Sequence, residues 1–107
     1  MTRRDEAIDA VFSALADPTR REIVRLLADR PATATELSSR LPVSRQAVAK
    51  HLAALEEAGL ASPSREGREV RYTLTPRPMT EAASWMGEVG AEWDQRLEAL
   101  RRHLGRA

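Results

Sequence analysis

The chain has 107 residues, a formal charge of +1, and 42% hydrophobic and 31% charged residues, which is typical of one small globular domain. It contains no cysteine, which excludes a disulfide framework, a thiolate metal site and a cysteine nucleophile. Because the first residues are charged and no apolar run is long enough to span a membrane, we expect a cytoplasmic protein with no membrane partner.

Two helices are predicted in the first part of the chain. Apolar side chains at helical spacing indicate the first helix, over residues 9–16. Asp17 and Pro18 end it and begin a second helix, because Asp is a favourable N-cap and Pro fits the first helical position. This second helix runs to about Asp29.

Two further helices follow. Glu36 stands three residues after Thr33, and this capping-box pattern predicts a short third helix ending at Leu41. A fourth helix is predicted over residues 45–58, since Gly59 stands where a left-handed residue commonly ends a helix.

The pattern then changes to that of a β-hairpin. Residues 69–74 alternate between polar and apolar side chains, and a shorter run over residues 60–64 precedes the Glu66-Gly67 turn. A long helix is predicted over residues 79–104, where apolar residues recur every seven positions.

The order of these elements predicts a mainly α fold with one β-hairpin, a winged helix-turn-helix. It would form a single domain over residues 1–107. The helix-turn-helix would cover about residues 33–58 and the wing about residues 60–74.

The fourth helix has two chemically different faces. Val48, Leu52 and Leu55 cluster on one side. The opposite face carries Arg45, Gln46, Ala49, Lys50 and Ala53. Arg and Lys can donate to guanine, Gln can pair with adenine, and small Ala side chains let a helix approach the bases. This face favours base reading in the DNA major groove, with an ordinary solvated face as the alternative.

Three arginines, Arg65, Arg68 and Arg71, surround the turn of the predicted wing. Such side chains can lie along phosphates or enter the minor groove, and Arg65 and Arg68 are favoured over Arg71 for this contact. The alternative is that Glu66 and Glu69 pair with the arginines on a solvated edge.

The last helix carries more apolar surface than so small a domain can bury. Its two heptad series are Met86, Trp93 and Leu100, and Gly90, Leu97 and Leu104. A symmetric dimer through this helix would cover that surface, and it is the expected solution.

Enzyme activity is not expected, because the common phosphate-binding, dinucleotide-binding, nucleophile-elbow and zinc-protease motifs do not occur. Of the two histidines, His51 is interpreted as a packed, locally hydrogen-bonded residue and His103 as a residue near a helix C-terminus. No metal site and no cofactor are predicted.

Three segments carry a recognisable pattern: ALADPTRREI at residues 14–23, LPVSRQAVAKHL at residues 41–52 and LEEAGL at residues 55–60. Together they resemble the ArsR/SmtB family of bacterial winged-helix repressors. The resemblance covers about residues 9–104. It implies a homodimer, joined through the first and last helices, that binds a palindromic operator in double-stranded DNA and releases it when an inducer, here unknown, binds.

The resemblance also assigns residues to these roles. The DNA-contacting residues would be Ser44, Arg45, Gln46, Ala49 and Lys50. With them we group Arg65 and Arg68 of the wing. The expected dimer interface consists of Val11, Phe12, Met86, Gly90, Trp93, Leu97 and Leu100.

The chain departs from the metal-sensing members of that family. Where arsenic and cadmium sensors carry cysteines on the short helix, it has Ser38 and Arg40, and no Asp-x-His occurs for the zinc site of the last helix. The interpretation is therefore a homodimeric, metal-independent transcriptional repressor. Two alternatives remain: a winged-helix module that binds another protein, and a metal or small-ligand sensor of the same fold.

Overall fold

The computed structural model describes residues 2–105 of the chain. In chain order the helices and strands are α1 Arg3–Leu15, α2 Pro18–Asp29, β1 Ala32–Thr33, α3 Ala34–Ser38, α4 Arg45–Glu57, β2 Ala61–Glu66, β3 Glu69–Leu74 and α5 Arg77–Gly105. This is a mainly helical fold with a small antiparallel sheet, which confirms the predicted winged helix-turn-helix class.

The first helix begins earlier than its apolar pattern indicates. Thr2 is the N-cap of α1: its Oγ1 accepts the backbone N–H of Asp5, whose carboxylate accepts the backbone N–H of Thr2 in return. The predicted start at residue 9 was wrong because the first turns are charged and solvent-exposed, so periodicity does not reveal them. The second helix has the predicted bounds, and Asp17 caps it by accepting the N–H groups of Thr19 and Arg20.

The third helix is shorter than predicted and the fourth nearly matches its prediction. Thr33 and Glu36 form the predicted capping box, but α3 ends at Ser38 rather than Leu41. After α4, Gly59 adopts φ 78°, and the N–H of Leu60 donates to the carbonyl of Leu55 at 2.8 Å. This pair of features is the Schellman ending, in which glycine avoids the strain of a left-handed residue.

The sheet has three strands rather than the two of the predicted hairpin. Its order is β1-β3-β2 and both pairings are antiparallel, with Thr33 opposite Arg71 and Pro63 opposite Tyr72. The hairpin β2–β3 is the wing, and β1 joins the base of the wing to the helix-turn-helix. A strand of two residues has no periodicity of its own, so only the folded pairing reveals it.

The core lies between α1, α2, α3, α4 and the base of the wing. Its largest fully buried side chains are Ile23, Leu37, Leu52, Leu55, Leu60, Val11 and Val48. Val11 is 1% exposed in the single chain, so the expectation that it contacts a second chain was wrong: its surface is already used inside the protomer.

The last helix is different, because Ala82 is its one buried residue within Arg77–Gly105. It packs against α1 through its first half, where Arg4 and Glu88 form an ion pair at 3.1 Å. The molecule measures 70 × 30 × 20 Å. In the part of the chain that the structure describes, no helix combines the length and apolar character needed to cross a membrane.

Candidate nucleic-acid interface

The fourth helix presents a polar face to solvent because its apolar residues are used in the core. Ser44 caps the helix by accepting the N–H of Ala47 at 3.0 Å. Val48, Leu52 and Leu55 are each 0% exposed, which fixes the rotation of the helix. The exposed residues include every candidate on its outer face: Ser44, Arg45, Gln46, Ala49, Lys50 and Ala53. The helix therefore offers hydrogen-bonding side chains separated by small ones.

Two of the three arginines of the wing are exposed. Arg65 and Arg68 lie on either side of the turn at Gly67, which adopts φ 64° and so favours glycine. Both side chains are exposed and lie on the part of the hairpin that extends away from the core.

Arg71 differs, because it forms ion pairs with three carboxylates. Its guanidinium lies 2.9 Å from Glu36, 3.3 Å from Glu66 and 3.3 Å from Glu69, and its side chain is 28% exposed. Partial burial alone would lower the pKa of Arg71, but the carboxylates of Glu36 and Glu66 raise it overall. The proposed pairing of acidic residues with wing arginines therefore applies to Arg71.

Glu36 is held by two donors at once. Its Oε1 accepts the backbone N–H of Thr33 at 2.9 Å and the Nη1 of Arg71 at 2.9 Å. The hydrogen bond from the Thr33 backbone is the largest cause that lowers the pKa of Glu36, and the charge of Arg71 lowers it further. Glu36 is therefore a carboxylate at neutral pH.

A cleft of about 500 Å³ connects the recognition helix to the wing. Arg45, at the start of α4, and Arg68, in the wing, both line it. Thr35, Tyr72 and the ion-paired residues Glu36, Glu69 and Arg71 also line it. The cleft thus brings together the two groups of candidate DNA-binding residues, which stand more than ten positions apart in the sequence.

A second exposed surface lies on α1 and α5 and is apolar. Phe12 and Trp85 stack edge to face with ring centroids 5.9 Å apart, and both rings remain more than a third exposed. Farther along α5 the exposed large apolar residues are Met86, Val89, Trp93, Leu100 and Leu104. Leu97 is half-buried, and a Cβ added at Gly90 would meet nothing within 4 Å. Val89 is a member of this surface that heptad counting missed, although its helical angle falls within the stripe.

Comparison with known proteins places this geometry in a family. Residues 15–62 match a family described as "Helix-turn-helix domain". The HTH-type transcriptional regulator CmtR of Mycobacterium tuberculosis is 34% identical over 106 residues, which cover 97% of this chain and 90% of that protein. The arsenical resistance operon repressor of Escherichia coli is 33% identical over 97 residues, covering 90% and 83%. An ArsR-like transcriptional regulator from Rhodococcus sp. RHA1 superposes with a TM-score of 0.80 at 43% identity, covering 91% and 92%.

The chain belongs to the ArsR family of transcriptional regulators. It is a DNA-binding helix-turn-helix protein and not an enzyme. The matched segment contains α2, α3 and α4, so the family assignment coincides with the part of the fold that presents the recognition helix.

This ArsR-family chain lacks the donor set of a thiolate metal site. It has no cysteine, and Ser38 and Arg40 flank the end of the short helix. Across residues 2–105 no group of three or more His, Asp or Glu side chains could hold a metal ion. These residues do not fit a metal cofactor.

The two histidines of the chain lie apart. His51 is half-buried, and its Nδ1 accepts the Nε–H of Arg20 at 3.3 Å, which confirms the expected local hydrogen bond. His103 is exposed near the end of α5, as its place in the sequence indicates.

Proposed function

We propose that the protein is a homodimeric transcriptional repressor that binds a palindromic operator, with α4 of each protomer in the major groove. The observation that carries this proposal is the exposed outer face of α4, which bears Arg45, Gln46 and Lys50 around Ala49. Gln can bond adenine in a bidentate manner, Arg and Lys donate to guanine, and Ala allows close approach. Repression rather than activation is supported by the similarity to the arsenical resistance operon repressor of Escherichia coli.

The wing would contact the DNA backbone beside the groove that α4 occupies. Arg68 lies across the cleft of about 500 Å³ from Arg45 at the start of α4, and Arg65 is exposed beside the same turn of the wing. A phosphate strand between the major and minor grooves would pass along the mouth of this cleft, beside Arg45 and Arg68, since the carboxylates that also line it, Glu36 and Glu69, are paired with Arg71. Such contacts position the protein without reading sequence.

Dimerisation would place two recognition helices on successive turns of the operator. The exposed apolar surface of α1 and α5 supports this step, because large apolar patches on a small protein mark interaction sites. A two-fold axis through this surface would present both α4 helices to the same side of the DNA, about 34 Å apart. The proposed contact residues are Phe12, Met86, Gly90, Trp93, Leu97 and Leu100. Because its proposed target is DNA in a bacterial cell, we propose a cytoplasmic location for the protein.

Base reading is tested with Gln46→Ala. Its affinity is measured for the operator, defined by footprinting the DNA upstream of its own gene, and for a scrambled duplex. The variant should weaken operator binding by about 1 to 3 kcal/mol and leave the scrambled duplex nearly unaffected. The matched control is Gln95→Ala, which removes an exposed glutamine from α5 and should change neither affinity. Equal weakening of both duplexes by Gln46→Ala would contradict major-groove docking.

Phosphate anchoring by the wing is tested with Arg68→Ala in the same titrations. Loss of one cation from each protomer should weaken binding to both duplexes alike. It should also reduce the salt slope, which is the magnitude of the slope of log affinity against log salt concentration, by roughly 2 for the dimer. An unchanged slope would mean that the wing is a solvated edge.

A further inference from the structure

We propose that Arg71 is a positioning residue for the wing: it holds the hairpin at the angle at which Arg65 and Arg68 reach DNA, and it does not contact DNA itself. This inference rests on the proposed function and adds the element that makes the wing rigid. Three observations support it.

The first is that Arg71 connects three separate places in the chain. Its Nη1 donates to Glu36 in α3, its Nε to Glu66 at the end of β2, and its Nη2 to Glu69 at the start of β3. The two wing carboxylates stand on opposite strands of the hairpin, and Glu36 belongs to the helix-turn-helix. The guanidinium thus joins both strands of the wing to the body.

The second is that Glu36 couples the wing to the start of α3. The same Oε1 atom closes the capping box with Thr33 and accepts from Arg71. Thr33 also lies opposite Arg71 in the pairing of β1 with β3. A movement of the wing base would therefore disturb an N-cap and a strand pairing together, which opposes that movement.

The third is that little else fixes the outer part of the wing. In β2 only Ala61 is buried, and the residues from Ser62 to Glu66 are exposed. The opposite strand, β3, is half-buried at Val70, Arg71 and Tyr72 and contacts α2, so β3 is held by the body whereas β2 beyond Ala61 has no packing of its own. Besides its pairing with β3, the exposed strand β2 is thus tied to the body through Arg71, which joins Glu66 near the turn to Glu36 of α3.

Arg71 is poorly suited to bind phosphate directly. All three of its nitrogens donate to carboxylates, so a phosphate would have to displace an existing ion pair. The three carboxylates around it also repel a phosphate, whereas Arg65 and Arg68 are exposed.

The test is a double-mutant cycle in the full-length protein. Arg71→Met is measured in the wild type and in an Arg65→Ala/Arg68→Ala background, with operator affinity and salt slope as readouts. If Arg71 acts through the wing arginines, Arg71→Met weakens operator binding about tenfold in the wild type but by less than about twofold in that background. Equal factors in the two backgrounds would overturn the proposal, whether Arg71 contacts phosphate or supports the whole fold.

Glu36→Gln provides a second variant with a prediction of opposite sign. Gln keeps the oxygen that closes the capping box, so α3 remains capped while the ion pair with Arg71 is lost. Simple charge repulsion predicts tighter DNA binding when a carboxylate is removed from this face. The positioning role predicts weaker binding, by about threefold, because the wing is released. Tighter binding by Glu36→Gln would overturn it.

Glu22→Gln is the matched control, because it removes another exposed ion pair, with Arg25 on α2, and neither residue lines the cleft between α4 and the wing. It should leave affinity and slope unchanged. The measurements distinguish failure of the proposed DNA docking from failure of the positioning role of Arg71. If Gln46→Ala discriminates between the duplexes as expected and the Arg71 cycle is additive, only the positioning role fails; if Gln46→Ala weakens both duplexes alike, the docking itself fails.

Discussion

The helices α4 and α5 were both recognisable from apolar residues at helical spacing, yet the folded chain uses the two apolar faces differently. On α4, Val48, Leu52 and Leu55 are completely buried by the rest of the protomer. On α5, Trp93 is 57% exposed and Leu100 is 52% exposed. Periodicity therefore identifies which face of a helix is apolar, but it does not show whether the same chain or another covers it.

The two helices also have different neighbours. Elements on both sides of α4 pack against it, since α2, α3 and β2 all contact this helix. The second half of α5 extends past α1, and its apolar stripe continues to Leu104 without support from the body. Each large apolar side chain left in water loses about 1.5 to 3 kcal/mol of stabilisation that burial would give. This favours a protein partner for the apolar face of α5, whereas the apolar face of α4 needs none.

The largest expected effect tests whether the apolar face of α4 is buried within the protomer. Leu52→Ala should lower the free energy of unfolding by about 2 to 5 kcal/mol, because Leu52 is fully buried and its loss leaves a cavity. Urea denaturation at one fixed protein concentration measures this change. Lys50→Ala, on the exposed face of the same helix, is the control and should alter stability by less than about 0.5 kcal/mol. A loss below about 1 kcal/mol for Leu52→Ala would contradict the packing described for α4.

The next effect tests whether the exposed apolar stripe of α5 forms the dimer contact. Trp93→Glu should raise the dimer dissociation constant at least about 30-fold, because it places a charge in the centre of the apolar stripe. Sedimentation equilibrium measures the dissociation constant, and circular dichroism checks that the helices persist. Gln95→Glu adds the same charge about 160° around the helix and should leave the dimer intact. A Trp93→Glu protein with unchanged association would disprove the role of this stripe.

The same contrast explains which parts of the fold were predictable. The bounds of α4 followed from local signals, because Ser44 caps the start of the helix and the left-handed Gly59 follows its end. The strand β1 was missed because it exists only through pairing with β3. Val11 was assigned to the wrong surface, since helix-face patterns do not reveal that α1 turns that side chain into the core.

One part of the candidate site could also be predicted from local sequence patterns, and another part could not. The outer face of α4 followed directly from the positions of Val48 and Leu52, because the residues opposite a core face must be exposed. The pairs of Arg71 with Glu66 and Glu69 were one of the two alternatives, but its contact with Glu36 did not follow, since Glu36 lies 35 residues away in sequence and charge patterns are short-range indicators. The sequence favoured Arg65 and Arg68 over Arg71 for DNA contact, but it did not show that Arg71 is tied to α3.

The smallest expected effect concerns metal ions, for which α4 and α5 each carry one imidazole. His51 on α4 already accepts a hydrogen bond from Arg20, and His103 on α5 is exposed without thiolate donors anywhere in the chain. A zinc site needs three or four such ligands in a tetrahedral arrangement. Operator affinity should therefore agree within about twofold between saturating zinc and a chelator, since residues 2–105 of one chain bring no three such ligands together.

Fluorescence titration of a labelled operator in both buffers measures this difference. An equal concentration of magnesium replaces zinc in the control, so that ionic strength stays constant and the electrostatic part of binding does not change. A reproducible tenfold shift with zinc alone would show that ligands come together between two chains, and the His103→Gln variant would then identify whether α5 supplies one. In that case the exposed surface of α5 would be a sensor as well as a dimer contact, and its difference from α4 would extend from packing to regulation.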